Sequence, residues 1–395
     1  GVVDVEVLTR DTWTLDPGLG FSRQGGENTS KYGLKELNLL GTGAAIEWQR
    51  VESERGTTDE YQFNNDLLFG TRARFNVTYV DSYTGTGQFV SLTRPFFQLD
   101  GRWAAGVSAS SSDRLVTTYS ENVVTSQYRR QGDTVSVFGG LSKGLVNGWT
   151  RRYNLGVDFL EVKNELVSGA PPPDQLPIDE IRVSPFVRVQ VIQDNFVKTT
   201  NRNQIQRPEF FLLGFAANVK LGYGATELGS TRSSWNYTAS VNQGWDLSRD
   251  RILVMQARAG GLYTEGDDEN QLLTGEVQYF VPQSNRAQSF VGLAVDAASD
   301  IATRNQLSLG GENGLAGYPA NYQTGDRRVL FNLEQRLYSD WYPFRLFRVG
   351  GGAFLDVGRA RGGVKTLNED PGVLASAGFG LRLFSVRSAF GTVWR

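Results

Sequence analysis

The sequence predicts an all-β chain, and more narrowly a transmembrane antiparallel β-barrel. Three observations carry this. Apolar and polar residues alternate with period two from one end to the other, with almost no helical periodicity. The longest clearly apolar run, 210–217, is far short of the roughly 18 to 20 residues that a helix needs to cross a bilayer, so any crossing is made by strands. Roughly twenty candidate segments of about ten residues, the span of a tilted transmembrane strand, are separated by connections rich in Gly, Asn, Asp and Ser.

Four segments show the alternation best. In 72–81, Ala73, Phe75, Val77 and Tyr79 alternate with Arg74, Asn76 and Thr78. In 153–162, Tyr153, Leu155, Val157 and Phe159 alternate with Asn154, Gly156 and Asp158. In 215–223, Phe215, Ala217, Val219, Leu221 and Tyr223 face one way while Asn218 and Lys220 face the other. In 253–259, Leu253, Met255 and Ala257 oppose Gln256 and Arg258. A soluble sandwich alternates in the same way; the number and length of the segments select the barrel. Aromatics at strand ends, namely Trp13, Trp48, Trp103, Trp235, Tyr279 and the cluster Trp341, Tyr342 and Phe344, suit interfacial girdles. Short connections such as 40–43 alternate with long polar ones such as 167–178 and 311–327, the loop asymmetry of an outer-membrane barrel. One weak echo, NLLGTG at 38–43 and DLLFGTR at 66–72, reads as two equivalent turns on one rim. No linker separates domains, so 11–395 reads as a single barrel.

Composition removes most enzyme chemistry. Cysteine and histidine are absent and Met255 is the single methionine, which excludes disulfides, thiolate or imidazole metal sites and every triad that needs His or Cys. A net charge of -2 argues against nucleic acid as a partner. The acidic pairs Asp267 with Asp268 and Glu369 with Asp370 lie in Gly- or Pro-bearing sequence and read as solvated loop residues rather than as acid, base or Ca²⁺ ligands. No catalytic residue, metal or cofactor is expected. The proline run at 171–173 reads as a rigid exposed loop.

A more specific signal lies at 307–360. The segment LSLGGENGLAGYPANYQTGDRRVLFNLEQRLY, followed by FRVGGGAFLDVGRA, resembles the outer-membrane insertase and two-partner secretion superfamily, the group of BamA, TamA and FhaC. Two motifs carry the resemblance in order: a loop tip of Gly310, Gly311, Glu312, Asn313, Gly314, Leu315, Ala316, Gly317 and Tyr318, and a strand motif of Phe354, Leu355, Asp356, Val357 and Gly358. DTWTLDPGLGFSRQGG and ELNLLGTG are similar to the first strands of that family. The resemblance implies sixteen strands, with the long loop folded into the lumen. It also implies residence in the bacterial outer membrane among its lipid and lipopolysaccharide, upstream POTRA domains and a polypeptide client. Residues 1–10, with alternating Val3, Val5 and Val7, are then expected to be the tail of a POTRA domain. Residues 372–385 read as a full strand and 389–395 as the start of another, one strand short of the family's closing strand.

The alternation of the second motif is legible without any family. If Val349, Gly351, Ala353, Leu355 and Val357 face lipid, Phe354, Asp356 and Gly358 face the lumen. By the same rule Val329, Phe331, Leu333 and Leu337 face out, and Arg328, Asn332, Glu334 and Arg336 face in. Asp356 and Glu334 then sit on neighbouring strands of the inner wall, where two carboxylates repel unless a cation lies between them. The resemblance implies that this cation is a loop arginine directly after Leu315. Here that position is Ala316, which makes no bidentate contact. Three explanations stand: a natural variation with the pairing taken over by Arg327, Arg328, Arg336 or Arg348, a deliberate replacement, or an unlocked loop. The first is favoured, because wall arginines are plentiful. The plain alternative for Glu334 and Asp356 is a solvated wall with no special role.

The function that the resemblance implies is insertion or translocation of polypeptides. A client strand adds to a weakly closed seam between first and last strands, or passes through the lumen after the loop moves. Residues 13–23 are the candidate seam, with Gly18 and Gly20 easing its opening. Two other readings remain open: a passive porin with Arg258, Lys220, Asp158 and Arg74 setting selectivity, and the transport barrel of a longer passenger-carrying polypeptide.

Overall fold

Alternating β-branched, aromatic and small polar residues suit a pleated strand with one face in hydrocarbon and one in water, and the chain forms strands almost throughout. The computed structural model describes all residues except 1–13, 25, 121–122, 203–204, 249, 265–266, 300–306, 346, 363–370, 386–392 and 395. The strands are β1 (Leu15–Gln24), β2 (Glu27–Glu36), β3 (Ala44–Ser53), β4 (Gly56–Asn65), β5 (Arg74–Ser82), β6 (Gly85–Arg94), β7 (Trp103–Ser120), β8 (Val123–Val146), β9 (Trp149–Leu166), β10 (Glu180–Gln193), β11 (Phe196–Thr200) and β12 (Pro208–Leu212). They continue as β13 (Ala216–Gly224), β14 (Ser234–Ser248), β15 (Arg251–Thr264), β16 (Asp267–Ser284), β17 (Ala287–Ser299), β18 (Leu307–Leu309), β19 (Gln323–Gly325), β20 (Arg327–Tyr338), β21 (Phe347–Arg361), β22 (Leu374–Ser385) and β23 (Val393–Trp394).

Nineteen of these form one antiparallel meander in which each strand pairs with the next. The exceptions are two skips: β10 pairs with β13 and β17 with β20, and the bypassed β11–β12 and β18–β19 fold as separate hairpins. The expected sixteen strands are therefore too few, and the raw count near twenty is the better one. β1 to β6 are nine- or ten-residue strands built as three hairpins. A hairpin is self-contained, so it lengthens a meander by two strands without disturbing the register of the rest.

The sheet curls into a barrel. Phe21, Ser22 and Arg23 of β1 line the same cavity as Ala377, Phe379 and Arg382 of β22. Arg55, in the β3–β4 turn, reaches across the mouth to donate to the Ala320 carbonyl at 3.3 Å. Even-numbered residues of β20 and β21 face this interior, whereas Val329, Leu333, Leu337 and Leu355 are exposed on the exterior. The exterior of β8 and β9 carries an apolar belt, Val135, Val137 and Leu141 beside Tyr153, Leu155, Val157 and Phe159. Above the belt the same face turns polar: Arg129 donates to Asp113 at 2.7 Å and Lys163 pairs with Glu161 at 2.8 Å. These strands extend beyond the belt on that side. The rim they rise toward also carries the long connections 167–179 and 225–233 and the described residues between β17 and β20 and between β21 and β22, and is called the loop rim; the opposite, turn rim has two-residue turns such as 285–286.

Several expectations fall outside the described residues: Trp13, the segment 1–10, the pair Glu369 and Asp370, and all of 389–395 except β23. Asp267 and Asp268 are corrected from loop to strand. They open β16, opposite Thr264 and Tyr263 of β15.

Candidate functional site

The interior is filled from both rims. From the loop rim, the β17–β20 connection returns inward as the hairpin β18–β19, with Leu307 opposite Gly325 and Leu309 opposite Gln323. Its tip is a compact turn. Gly310 N–H donates to the Gly314 carbonyl at 2.9 Å, Gly311 N–H to the Tyr318 carbonyl at 2.8 Å, and Tyr318 N–H to the Leu315 carbonyl at 3.0 Å. Two glycines are dictated by space: a methyl on Gly310 would overlap the Pro319 carbonyl, and one on Gly314 would overlap the Leu330 side chain. Leu315 is fully buried against Leu309, Leu330, Ala360 and Leu374, with Tyr318 and Tyr322 packed alongside. Gly358 lies under Leu309, where a Cβ would come within 3.2 Å of Leu309 Cδ1, and Gly317 faces Ser376 in the same way. The loop is also pinned by polar contacts: Arg328 to the Ser308 carbonyl at 3.0 Å, Ala360 N–H to Gln323 Oε1 at 2.8 Å, and Gln323 Nε2 to the Gly372 carbonyl at 3.0 Å.

The wall beneath the loop carries Glu334 and Asp356 on neighbouring strands, as the alternation suggests. Register sets Asn332 opposite Asp356 and Glu334 opposite Phe354, so the two carboxylates are diagonal neighbours with separate partners. Asp356 accepts from Asn332 Nδ2 at 2.8 Å. Glu334 accepts from Arg336 Nη2 at 2.6 Å and from Arg382 Nη1 at 3.0 Å, and both arginines are almost fully buried. Of the four arginines proposed as stand-ins for the missing loop cation, Arg336 holds Glu334. Arg328 pairs with Asp296 at 2.8 Å, Arg327 lies beside Asp326, and Arg348 stacks on Tyr342 at 4.4 Å. Arg382 is a partner that sequence reasoning missed, because β22 is more than forty residues downstream of Glu334 and only the β21–β22 register brings it in. Ala316 lines a cavity of about 1010 Å³ together with Glu334, Arg336, Phe354 and Asp356 on the wall, Gly311, Gly314 and Gly317 on the loop, and Phe21 to Arg23 of β1.

The second filling was not foreseen. From the turn rim, the β10–β13 connection folds back as the hairpin β11–β12, whose tip crosses to the far wall. The Asn201 carbonyl accepts from Tyr338 Oη at 2.6 Å, and the Arg202 carbonyl from Arg336 Nη1 at 2.8 Å. Ile205 packs on Tyr338 and Phe384, and Leu213 on Ile252, Val254 and Phe280. The Arg202 guanidinium is buried between two rings, 3.8 Å from Phe211 and 4.3 Å from Phe280. Burial pushes its pKa down to about 10, so it remains a cation near neutrality. The sequence signal was available in hindsight: Ile205, Phe210, Phe211, Leu212 and Leu213 are too apolar for a solvated turn.

The wall charges read as selectivity residues are partly neutralised in place. Lys220 pairs with Asp158, which also accepts from Ser136 at 2.8 Å, and Arg74 pairs with Asp66 at 3.3 Å. Among the described residues no cluster of acidic side chains suits a metal ion.

No family model matches the chain. Among solved structures, it is similar to BamA from Haemophilus ducreyi lacking POTRA domains 1–3, at 11% identity and a TM-score of 0.44, over 94% of this chain and 70% of that one. It is also similar to CdiB from Acinetobacter baumannii, at 10% identity and a TM-score of 0.43, over 93% of this chain and 59% of that one. CdiB from Escherichia coli is similar at 16% identity and a TM-score of 0.42, over 95% of this chain and 57% of that one. The likeness is one of outline. At TM-scores below 0.5 it carries no argument about activity, which rests on the residues.

Proposed function

We propose that the chain is a bacterial outer-membrane barrel that handles polypeptides at the edge of its wall, inserting or translocating them, with its bore closed at rest. The observation that supports this best is the contrast between bore and edge. The bore is occupied from both rims by hairpins held through buried side chains. At the edge, β1 pairs with β2 alone among the described residues, while β1 and β22 flank one cavity. A ten-residue strand with one ladder side unpaired among the described residues is a template for a client strand, because each backbone N–H and C=O left in hydrocarbon costs several kcal/mol until it is paired. Leu15, Leu19 and Phe21 present an exposed apolar face along that strand, and Gly18 and Gly20 leave its inner face bare. The two-hairpin filling speaks against a passive porin, whose bore must stay wet from end to end. Lipid, lipopolysaccharide, upstream POTRA domains and a polypeptide client are the partners that this reading implies.

The test uses the chain reconstituted in phospholipid vesicles, with an unfolded eight-stranded outer-membrane barrel as the probe. Faster insertion of the probe than into empty vesicles, by several-fold, together with sugar permeability near that of empty vesicles, is expected. High sugar permeability with no acceleration of insertion supports the passive pore instead.

A further inference from the structure

Ten described non-glycine residues adopt the left-handed backbone region, where a side chain crowds the following carbonyl. Six are Asn147, Asn201, Gln206, Asp250, Asn270 and Asn321, short polar types or nearly so, that bond locally and tolerate this conformation. The other four are large and apolar: Leu40 at φ 51°, Phe69 at 52°, Leu315 at 64° and Phe344 at 54°. Leu315 is fully buried in the lumen loop, and that burial compensates its backbone. Leu40, Phe69 and Phe344 are 93%, 92% and 87% exposed. Gly, Asn or Asp would fill each turn with less strain and better hydration, so water is not the surrounding that these residues suit.

The three turns share a rim and a design. Leu39–Gly41 joins β2 to β3, Leu68–Gly70 joins β4 to β5, and Pro343–Arg345 joins β20 to β21, all on the turn rim. The first two, which echo each other in sequence, are held identically. Thr42 Oγ1 donates to the Leu39 carbonyl and Thr71 Oγ1 to the Leu68 carbonyl, each at 2.7 Å, and each hydroxyl accepts from a backbone N–H two residues on. Leu40 and Phe69 are thus each held at the apex of a clamped turn. In strand order the turns lie on both sides of the seam: the β2–β3 and β4–β5 turns are one and three strands from β1, and the β20–β21 turn is one strand from β22.

The exterior belt is short on the β1 side. On β5 it runs from Phe75 through Val77 to Tyr79 before Asp81, about 13 Å along the strand, against about 20 Å for Tyr153 to Phe159 on β9. The ion pair of Arg50 with Asp59 at 2.8 Å closes the belt on β3 and β4. An apolar apex below the strands extends the belt where it is shortest. At the same rim, Arg72, Arg94 and Arg102 surround a cavity of about 340 Å³ with Phe97, Trp103 and a single carboxylate, Asp100, which pairs with Arg102 at 3.4 Å, and Arg94 stacks on Trp103 at 3.6 Å. Cations with aromatic neighbours are the chemistry of a phosphate layer over acyl chains.

We propose that Leu40, Phe69 and Phe344 are membrane anchors, seated just inside the phosphate layer of an anionic phospholipid leaflet on both sides of the seam. The arginines at 72, 94 and 102 lie at phosphate level. The anchors hold the turn rim in register with a leaflet where the belt alone is too short to fix it. The inference rests on the barrel's placement in a membrane and not on what it does to polypeptides.

The chain has no cysteine, so single nitroxides can be placed at will. Leu40→Cys, Phe69→Cys and Phe344→Cys are labelled in the full chain, reconstituted in vesicles of phosphatidylethanolamine and phosphatidylglycerol. Leu155→Cys on the belt and Glu54→Cys on the opposite hairpin turn serve as references, and circular dichroism checks that each variant keeps its sheet. Power saturation with oxygen and with a water-soluble nickel chelate reads depth. An oxygen-to-nickel accessibility ratio several-fold above that of position 54, approaching that of position 155, is expected at all three apices. Apices that match position 54 while 155 reads lipid overturn the anchors and leave the membrane barrel standing. If 155 itself reads as aqueous, the membrane placement falls and the anchors fall with it.

Discussion

Replacing Leu315 by alanine isolates the force that keeps the lumen loop docked. Leu315 has no exposed surface and fills the gap between Leu309, Leu330, Ala360 and Leu374. Truncating a buried leucine costs about 2 to 5 kcal/mol, the sum of lost transfer energy and the cavity left behind. The site is formed by one loop on a rigid wall and relaxes poorly, so about 3 kcal/mol is a reasonable centre. If the leucine is buried only in the docked state, the cost falls on docking, and the undocked fraction rises about 100-fold. Ser308, a buried residue of the loop's own hairpin with its carbonyl held by Arg328, is a suitable reporter once changed to cysteine. When reclosing outpaces reaction, labelling by a water-soluble maleimide follows the open population. The Leu315→Ala variant should then label about two orders of magnitude faster. Labelling rates within about twofold of each other would mean that the loop is held by its polar contacts alone, and the packing argument would be refuted.

Three further outcomes follow from the same contacts. Glu334→Gln removes the counter-charge of two buried guanidiniums, Arg336 and Arg382. A loss of about 3 to 5 kcal/mol is expected as a lower urea midpoint by tryptophan fluorescence, and an unchanged midpoint contradicts it. Ala316→Arg places a cation in the cavity that Asp356 and Glu334 line, so maleimide labelling of Ser308→Cys should slow, by about tenfold for one charge-assisted contact of about 1.5 kcal/mol. Equal labelling would mean that the loop tip does not present position 316 to the wall. Deleting 196–212 or undocking the loop singly should leave planar-bilayer conductance small, and the two together should raise it far more than their sum, because either hairpin blocks the bore. A large conductance from one change alone would show that the other hairpin is no barrier.

The wall was legible because its signal is local. Alternation at 72–81 and 153–162 places every side chain on its face, and the inward set of Arg328, Asn332, Glu334 and Arg336 follows from period two alone. The loop tip was legible from its glycines, two of which the packing forbids to carry a Cβ. What the sequence concealed is non-local. Arg382 reaches Glu334 only through two successive registers, and nothing near β22 marks it as a partner. Arg202 was invisible because an arginine between two strands reads as solvated, and its burial depends on Phe280 in β16, far along the chain. The strand number failed in the opposite sense: direct counting came close to nineteen, and the figure implied by resemblance replaced it with sixteen.

The claim that the barrel works at its edge is tested most directly by hydrogen exchange on the intact chain in a phospholipid bilayer. Amides of β1 that point away from β2 have no ladder partner among the described residues, whereas those of β15, β16, β20 and β21 are paired on both sides. The account predicts exchange of about half of the β1 amides at the earliest times, with the paired strands protected for hours. Protection of β1 equal to that of β20 would mean that the seam is closed by a full ladder, and would contradict it.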